Sequence, residues 1–165
     1  MKEITIYTDG SSLGNPGPGG YAAILIYGDY RKEISGGFRL TTNNRMELMA
    51  PIEALSLIKK TGEYSITIHT DSRLLVDTIN KGWLKRWQQN NWMRNKKERA
   101  MNIDLLELLS NQLKIHNVKF VWVKAHVGLE LNERCDLLCK QAASGNDLPI
   151  DEGYEKFNTN NSYKY

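Results

Sequence analysis

Two segments of the chain repeat one pattern, an alternation of apolar and polar residues that ends at an aspartate. Residues 4–8 (ITIYT) precede Asp9, and residues 65–70 (SITIHT) precede Asp71. Alternation with a period of two predicts β-strands that bury one face. A small residue follows each aspartate, so another molecule could come close to either carboxylate.

The other elements are predicted from periodicity of the same kind. Further strands are expected at 21–27, about 31–40 and 118–123, and helices at about 43–60, 72–80, 101–113 and 130–143. Residues 10–20 are rich in glycine and proline, which predicts a long turn-rich loop. Three strands therefore come first, and helices then alternate with two more strands. This order predicts an α/β domain, a mixed sheet with helices on its faces.

Length and composition favour one globular domain. The chain has 165 residues, of which 41% are hydrophobic, and this is enough for one core. Because it has no run of 18 apolar residues, we expect no membrane partner, and its first residues lack the apolar stretch of a secretion signal. Cys135 and Cys139 lie four residues apart in a predicted helix, where we expect buried thiols and no disulfide. These features predict a cytoplasmic protein.

Basic residues cluster in one window of the chain. Residues 81–99 carry a net charge of +6, whereas the whole chain carries +3. The window also holds three of the four tryptophans, Trp83, Trp87 and Trp92. Flat apolar rings among cations suit a polyanionic partner. Ordinary core packing stays open as an alternative for Trp83.

Acidic residues supply the first candidate site. Ligands collect at the carboxyl ends of strands in open α/β sheets, and neighbouring strands lie about 4.8 Å apart. If the strands before Asp9 and Asp71 are parallel neighbours, the two carboxylates could share a cation that prefers oxygen ligands, Mg²⁺ or Mn²⁺. Either aspartate alone could instead be a turn or cap residue. Glu47 could be a helix-dipole partner, and Asp136 an exposed acid paired with Lys140.

Five stretches resemble bacterial type 1 ribonuclease H, in the order and spacing of that family. They are residues 7–11 (YTDGS), 14–20 (GNPGPGG), 41–48 (TTNNRMEL), 70–72 (TDS) and 132–136 (NERCD). The resemblance covers about residues 1–154 and implies a catalytic domain with the ribonuclease H-like fold. In that fold a five-stranded mixed sheet, with its first three strands antiparallel and the others added in parallel, is flanked by helices. Residues 155–165 are polar and are predicted to form a disordered tail.

The resemblance implies an endonuclease that hydrolyses the RNA strand of RNA–DNA hybrids and leaves 5′-phosphate and 3′-hydroxyl ends. Four acids would hold two Mg²⁺ ions, with Mn²⁺ as a substitute: Asp9, Glu47, Asp71 and Asp136. His126 would assist catalysis from a loop, in which Ala125 stands where the family commonly has glycine and residues 129–131 are less polar than usual. The chain is expected to act as a monomer without a nucleotide cofactor.

The resemblance also implies how the hybrid is bound. The RNA strand would meet Asn15, Asn44 and Glu47, while Thr42 and Asn43 would hold a phosphate of the DNA strand. Arg73 stands where the family often has glutamine, and could add a charged contact. Residues 81–99 resemble the family's basic protrusion, a handle that grips the DNA strand. The contacts expected there are Trp83, Lys85, Arg86 and Trp87.

Two other functions are open at this stage. A non-catalytic hybrid-binding module could use the same fold, but it would gain nothing from four carboxylates that face a polyanion. Another nuclease of the same superfamily, such as a junction resolvase or an integrase core, would cut DNA and show no preference for RNA.

Overall fold

Five strands form a mixed sheet in the order β3-β2-β1-β4-β5. The computed structural model describes residues 2–124 and 130–161, with side chains up to residue 156. The strands are β1 (Lys2–Ser12), β2 (Gly17–Tyr27), β3 (Tyr30–Thr41), β4 (Tyr64–Thr70) and β5 (Asn117–Trp122). The first three are antiparallel, β4 lies parallel to β1, and β5 lies parallel to β4. The predicted mixed sheet is confirmed.

Six helices are described. They are α1 (Asn43–Ser56), α2 (Arg73–Asn80), α3 (Trp83–Gln89), α4 (Ile103–Ile115), α5 (Glu130–Ala143) and α6 (Glu152–Asn161). Side-chain caps set two of the starts, because Thr42 Oγ1 accepts from Arg45 N at 3.2 Å and Ser72 Oγ accepts from Leu75 N at 3.1 Å. None of the described helices has both the length and the apolar character needed to cross a membrane.

The core lies where the alternating strand patterns face α1 and α4. Ile6 on β1 and Ile68 on β4 are fully buried, and they belong to one cluster with Leu55 of α1 and Leu109 of α4. Successive side chains of a strand point to opposite faces. The residues of β1 between these apolar positions therefore face the other side of the sheet, where α5 packs on β1 and β2.

The glycine-rich segment differs from its prediction, because most of it is strand. β1 continues to Ser12 and β2 begins at Gly17, so that only residues 13–16 form the turn. Two glycines are needed here for close packing. A Cβ at Gly10 would lie 2.3 Å from the carbonyl carbon of Met46, and a Cβ at Gly20 would lie 2.2 Å from the carbonyl oxygen of Cys139. The glycines let α1 and α5 approach opposite faces of one hairpin.

Residues 155–161 of the predicted disordered tail belong to α6, and residues 162–165 lie outside the described residues. Asp151 holds the start of this helix: its side chain is buried, and its Oδ2 accepts from Arg45 Nε at 2.7 Å. The Oδ1 atom of Asp151 accepts from Tyr154 N at 3.3 Å in the first turn. A buried ion pair with a residue about a hundred positions earlier leaves no trace in the local composition, from which disorder was predicted.

Candidate active site

The two aspartates of the repeated strand pattern lie side by side. Tyr7 is the register partner of His69 in the parallel pair of β1 and β4, and each aspartate stands two residues further along its chain. Carboxylate oxygens of Asp9, Glu47 and Asp71 all lie within 4.8 Å of one another. The expectation that the two strands are parallel neighbours is therefore confirmed, and Glu47 joins the pair.

Glu47 reaches the aspartates because α1 begins directly against β1. A Cβ at residue 10 would lie 2.5 Å from Glu47 N, so only glycine at this position lets the first turns of α1 come so close. The backbone N–H of Gly10 also donates to Asp9 Oδ1 at 2.9 Å. The Asp9-Gly10 dipeptide thus orients one carboxylate and makes room for another.

Asp136 approaches the same place from α5. Its carboxylate, that of Asp9 and the Cys139 sulfur lie within 4.8 Å of one another. Asp136 Oδ2 also accepts from Lys140 Nζ at 2.9 Å, which is the surface pair that the sequence left open as an alternative. Asp136 therefore pairs with Lys140 and also lies beside Asp9. Asp9 is the residue that the two acidic groups share. α5 is tied to β3 by Arg134, which donates from Nε and Nη2 to the two Glu33 oxygens at 2.9 Å each.

Burial and mutual repulsion keep Asp9 and Glu47 from ionising readily. The pKa of Asp9 is raised to about 7, first by burial and then by the charge of Asp71. Burial, followed by the charges of Asp9 and Asp71, raises the pKa of Glu47 well above its ordinary value. Buried Glu47 Oε2 has no hydrogen-bond partner among the described residues. Such a cluster holds protons that a cation would displace.

The donor set fits a hard divalent cation. Four carboxylates supply oxygen, which Mg²⁺ and Mn²⁺ prefer, and the unpartnered Glu47 Oε2 is a ligand atom without a competing bond. The Cys139 sulfur beside these oxygens is a poor ligand for such ions. Burial raises the pKa of the Cys139 thiol to about 12, which keeps it neutral. Cys135 and Cys139 are both buried and free, as the sequence predicted.

A narrow cleft opens onto the carboxylates between β1 and α5. Its lining includes Thr8, Asn132 and Glu133 beside three of the acids. The amide nitrogen Nδ2 of Asn132 is buried and has no partner within the described part of the chain. Sequence reasoning gave Asn132 no role, although it opens the 132–136 stretch.

Four of the predicted substrate residues form one polar surface at the start of α1. Asn43 Oδ1 accepts from the backbone N–H and the hydroxyl of Ser12 at 2.7 and 2.9 Å, and Asn43 N donates to Asn15 Oδ1 at 3.1 Å. Thr42 caps α1 next to them. Asn44 is exposed on the first turn of the same helix. The turn at residues 13–16 is thereby tied to the start of α1.

The predicted handle residues lie apart from this surface, on α3. Trp83 and Trp87 stack with ring centroids 6.2 Å apart, while Lys85 and Arg86 are exposed. Trp87 packs against the core, whereas Trp83 is half-buried with Lys81 Nζ 5.6 Å from its ring centroid. The two rings therefore form a link between the core and a basic surface.

Arg73 lies beside Asp71 and stacks on a residue that the sequence did not single out. The Arg73 guanidinium carbon is 4.3 Å from the ring centroid of Trp122, and Trp122 Nε1 donates to the Asp71 carbonyl oxygen at 3.2 Å. A tryptophan that ends a strand gives no local sign of a bond to a neighbouring loop. His126, Ala125 and residues 127–129 lie outside the described residues, so the predicted role of His126 stays a prediction.

Solved structures place this architecture in a known fold class. LC9-RNase H1, a type 1 RNase H with the type 2 active-site motif, superposes with a TM-score of 0.78 at 30% identity, over 98% of this chain and 83% of its own. LC11-RNase H1, solved in complex with an RNA/DNA hybrid, gives a TM-score of 0.66 at 25% identity, over 86% and 96%. This fold is that of the ribonuclease H class.

Sequence comparison identifies the family within that class. The family model described as RNase H matches residues 1–144. Ribonuclease H of Syntrophus aciditrophicus is 53% identical over 154 residues, which cover 93% of this chain and 88% of the relative. Ribonuclease HI of Synechocystis is 49% identical over 157 residues, 94% and 97% of the two chains. The chain belongs to the ribonuclease H family.

Proposed function

We propose that Asp9, Glu47, Asp71 and Asp136 bind two Mg²⁺ ions, with Mn²⁺ as a substitute, in an endonuclease that cuts the RNA strand of RNA–DNA hybrids. The observation that carries this proposal is the convergence of these acids from β1, α1, β4 and α5 around Asp9. Such a cluster costs stability unless cations neutralise it. Asp9 lies in both acidic groups, which suits a carboxylate that bridges two ions.

The residues of the chain then divide the work of phosphodiester hydrolysis. Two divalent ions in such a site activate water, neutralise the phosphate and stabilise the departing 3′-oxygen. Asp9 and Glu47 release protons as they become ligands, since the pKa of each is raised in the protein alone. Asp71 and Asp136 complete the cluster around Asp9. The products are a 5′-phosphate and a 3′-hydroxyl.

Contacts to the hybrid are proposed for the polar surface at the start of α1 and for α3. Recognition of RNA requires donors and acceptors close to its 2′-hydroxyl groups, and Asn15 and Asn44 lie exposed on this polar surface. Thr42 and Asn43 would hold a DNA phosphate. Four residues would grip the DNA strand at the handle: Trp83, Lys85, Arg86 and Trp87. His126 would assist proton transfer or product release.

A cleavage assay on matched RNA–DNA, RNA–RNA and DNA–DNA duplexes tests the function. We expect cutting of the RNA strand of the hybrid with Mg²⁺, none with EDTA, and none of the DNA duplex. Asp9→Asn should lower the rate by several orders of magnitude while the protein stays folded. Asp29→Asn is the matched control, because Asp29 is exposed at the β2–β3 turn. A wild-type rate in Asp9→Asn would overturn the metal mechanism, and equal cutting of DNA duplexes would overturn the substrate.

We further propose that the enzyme works in the cytoplasm as a monomer. A reducing compartment suits Cys135 and Cys139, which are both free and buried. Sedimentation equilibrium of the reduced protein at assay concentration should give one mass near 18.9 kDa, and a mass twice as large would contradict the monomer.

A further inference from the structure

Trp122 joins the ends of two strands at the edge of the active site. It is the last residue of β5 and the register partner of Thr70, the last residue of β4. Just beyond this pair, Val123 N donates to the Thr70 carbonyl at 2.8 Å, and Trp122 Nε1 donates to the next carbonyl, that of Asp71, at 3.2 Å. The side chain of Trp122 therefore extends the ladder by one step, to a residue outside the regular sheet.

The position of that bond gives it influence over the Asp71 carboxylate. On the α2 side, Ser72 N donates to Thr70 Oγ1 at 3.1 Å, and Thr70 is fully buried. The carbonyl of Asp71 belongs to the same Asp71–Ser72 peptide group, so the indole and the Thr70 hydroxyl hold opposite edges of one peptide plane. Rotation of this plane would move Asp71 relative to Asp9 and Glu47.

One face of the indole contacts Arg73. Its guanidinium lies 4.3 Å from the ring centroid, and a cation stacked on tryptophan is held parallel to the ring. Arg73 is exposed, and 38% of the Trp122 surface is exposed. The outer edge of the guanidinium stays available to a phosphate, next to the residue that bears a catalytic carboxylate. One tryptophan thus contacts both a proposed metal ligand and a proposed substrate contact.

We propose that Trp122 is a positioning residue: its indole N–H orients Asp71 for the metal ions, and its ring holds Arg73 toward a phosphate of the hybrid. This inference rests on the proposed function of the acid cluster. Mg²⁺ requires near-ideal octahedral geometry, so a small displacement of one ligand weakens binding. A net hydrogen-bond contribution of ordinary size corresponds to a change of about threefold to tenfold in metal affinity.

The test separates the N–H from the ring. Trp122→Phe keeps an aromatic face and removes the donor, and 3-benzothienylalanine at position 122 removes the donor while keeping the indole shape. We expect both to raise the Mg²⁺ concentration at half-maximal rate by about threefold to tenfold, with little change in the KM for hybrid. Mg²⁺ titration of the substrate-free protein by calorimetry should show the same shift, which a merely structural role would not produce at unchanged Tm.

Arg73→Gln tests the charged contact that the Trp122 ring is proposed to hold in place. It should raise the KM for hybrid by about threefold to tenfold, as expected for the loss of one charged phosphate contact, and leave the Mg²⁺ midpoint unchanged. Lys32→Gln is the charge-matched control, because exposed Lys32 lies opposite Leu25 on β2, and Leu25 lies opposite Ile6, before Asp9 on β1.

The outcomes distinguish this inference from the proposed function. If Asp9→Asn is inactive but the benzothienyl protein keeps the wild-type Mg²⁺ midpoint, Trp122 does not position Asp71. If Arg73→Gln behaves as Lys32→Gln does, the ring positions no substrate contact. If Asp9→Asn keeps the wild-type rate, the proposed function itself fails, and the inference fails with it.

Discussion

At the scale of single residues, Asp9 shows how the site opposes stability. The pKa of Asp9 is raised from 3.8 to about 7 in the folded protein, mainly by burial. Between these values the folded state keeps a proton that the unfolded state has released. The free energy of unfolding of the metal-free protein therefore falls as pH rises from about 4 to 7, and the full cost is present above pH 7.

Asp9→Asn removes that cost, so we expect it to stabilise the protein in EDTA at pH 8. A shift of this size corresponds to at most a few kcal/mol, and hence to an increase in Tm of up to about 10 °C. At pH 4 the two proteins should differ little, because Asp9 is then largely protonated when folded and half protonated when unfolded. Calorimetry at both pH values checks this, and an equal difference at pH 4 and pH 8 would contradict it.

The same raised pKa values predict that protons and Mg²⁺ compete. At pH 6 the Asp9 carboxyl is mostly protonated, so binding must release its proton. The apparent Mg²⁺ affinity should fall about tenfold between pH 8 and pH 6, and further if Glu47 releases a proton in the same range. Titration calorimetry in two buffers of different ionisation enthalpy counts the released protons. A pH-independent affinity would show that the metal ions avoid both acids.

How far these residues could be predicted from the sequence depends on how local their signals are. Asp9 and Asp71 end alternating strands, so a local pattern marks both. Glu47 and Asp136 lie on helices, where a surface acid has the same spacing as a ligand, and only the resemblance to a family selected them. Trp122 donates to the backbone carbonyl of Asp71, just beyond another strand, and the sequence holds no local signal for this bond.

At the scale of elements, the structure differs from the prediction where tertiary packing decides. The glycines of residues 10–20 predict a loop from local preference, yet Gly10 and Gly20 lie in strands. They are glycine because the backbones of α1 and α5 lie too close for a side chain there. α2 and α5 are predicted within a residue of their observed ends, since their apolar spacing is local and a side chain, that of Ser72, caps α2. Two other helices differ as well, because α1 ends at Ser56 where about residue 60 was predicted, and α4 spans Ile103–Ile115 where about 101–113 was predicted.

α6 offers a test of one such distant contact. Arg45 is 3% exposed and donates to both oxygens of buried Asp151 at 2.7 and 3.0 Å, and to Asp104 as well. Asp151→Asn leaves buried Arg45 with Asp104 as its remaining anionic partner, so it should lower the free energy of unfolding by about 3 kcal/mol, the lower end of the cost of breaking a buried pair. Glu152→Gln is the matched control, because its pair with Lys156 is exposed and contributes at most about 1 kcal/mol.

Urea denaturation of both variants at pH 7 measures the difference. The rate on the hybrid should also fall in Asp151→Asn, since Arg45 lies in the first turn of α1, two residues before Glu47. A loss of stability below about 1 kcal/mol would show that α6 is not held by this pair.

At the scale of the whole molecule, charge is separated between two regions. The window of residues 81–99 carries +6 in a chain of +3, so the remainder is negative. Lys85 and Arg86 are exposed on α3, while Asp9 on β1 and Asp71 just beyond β4 lie together in the acid cluster. A polyanion is thus attracted by one region and repelled by the other until cations bind. Metal ions and hybrid should therefore bind cooperatively in the complete enzyme.

The salt dependence of hybrid binding measures this attraction. Each phosphate contact contributes about 0.9 to the slope of log affinity against log salt concentration on a duplex. Replacing both Lys85 and Arg86 by alanine should therefore lower that slope by about 2 and raise the KM for hybrid, because two contacts are lost. The kcat at saturating hybrid should stay the same, since neither side chain approaches the acids. Lys59→Ala, an exposed lysine after α1, controls for net charge alone. If that variant changes the slope as much per charge, binding depends on the total charge of the molecule and not on a handle at α3.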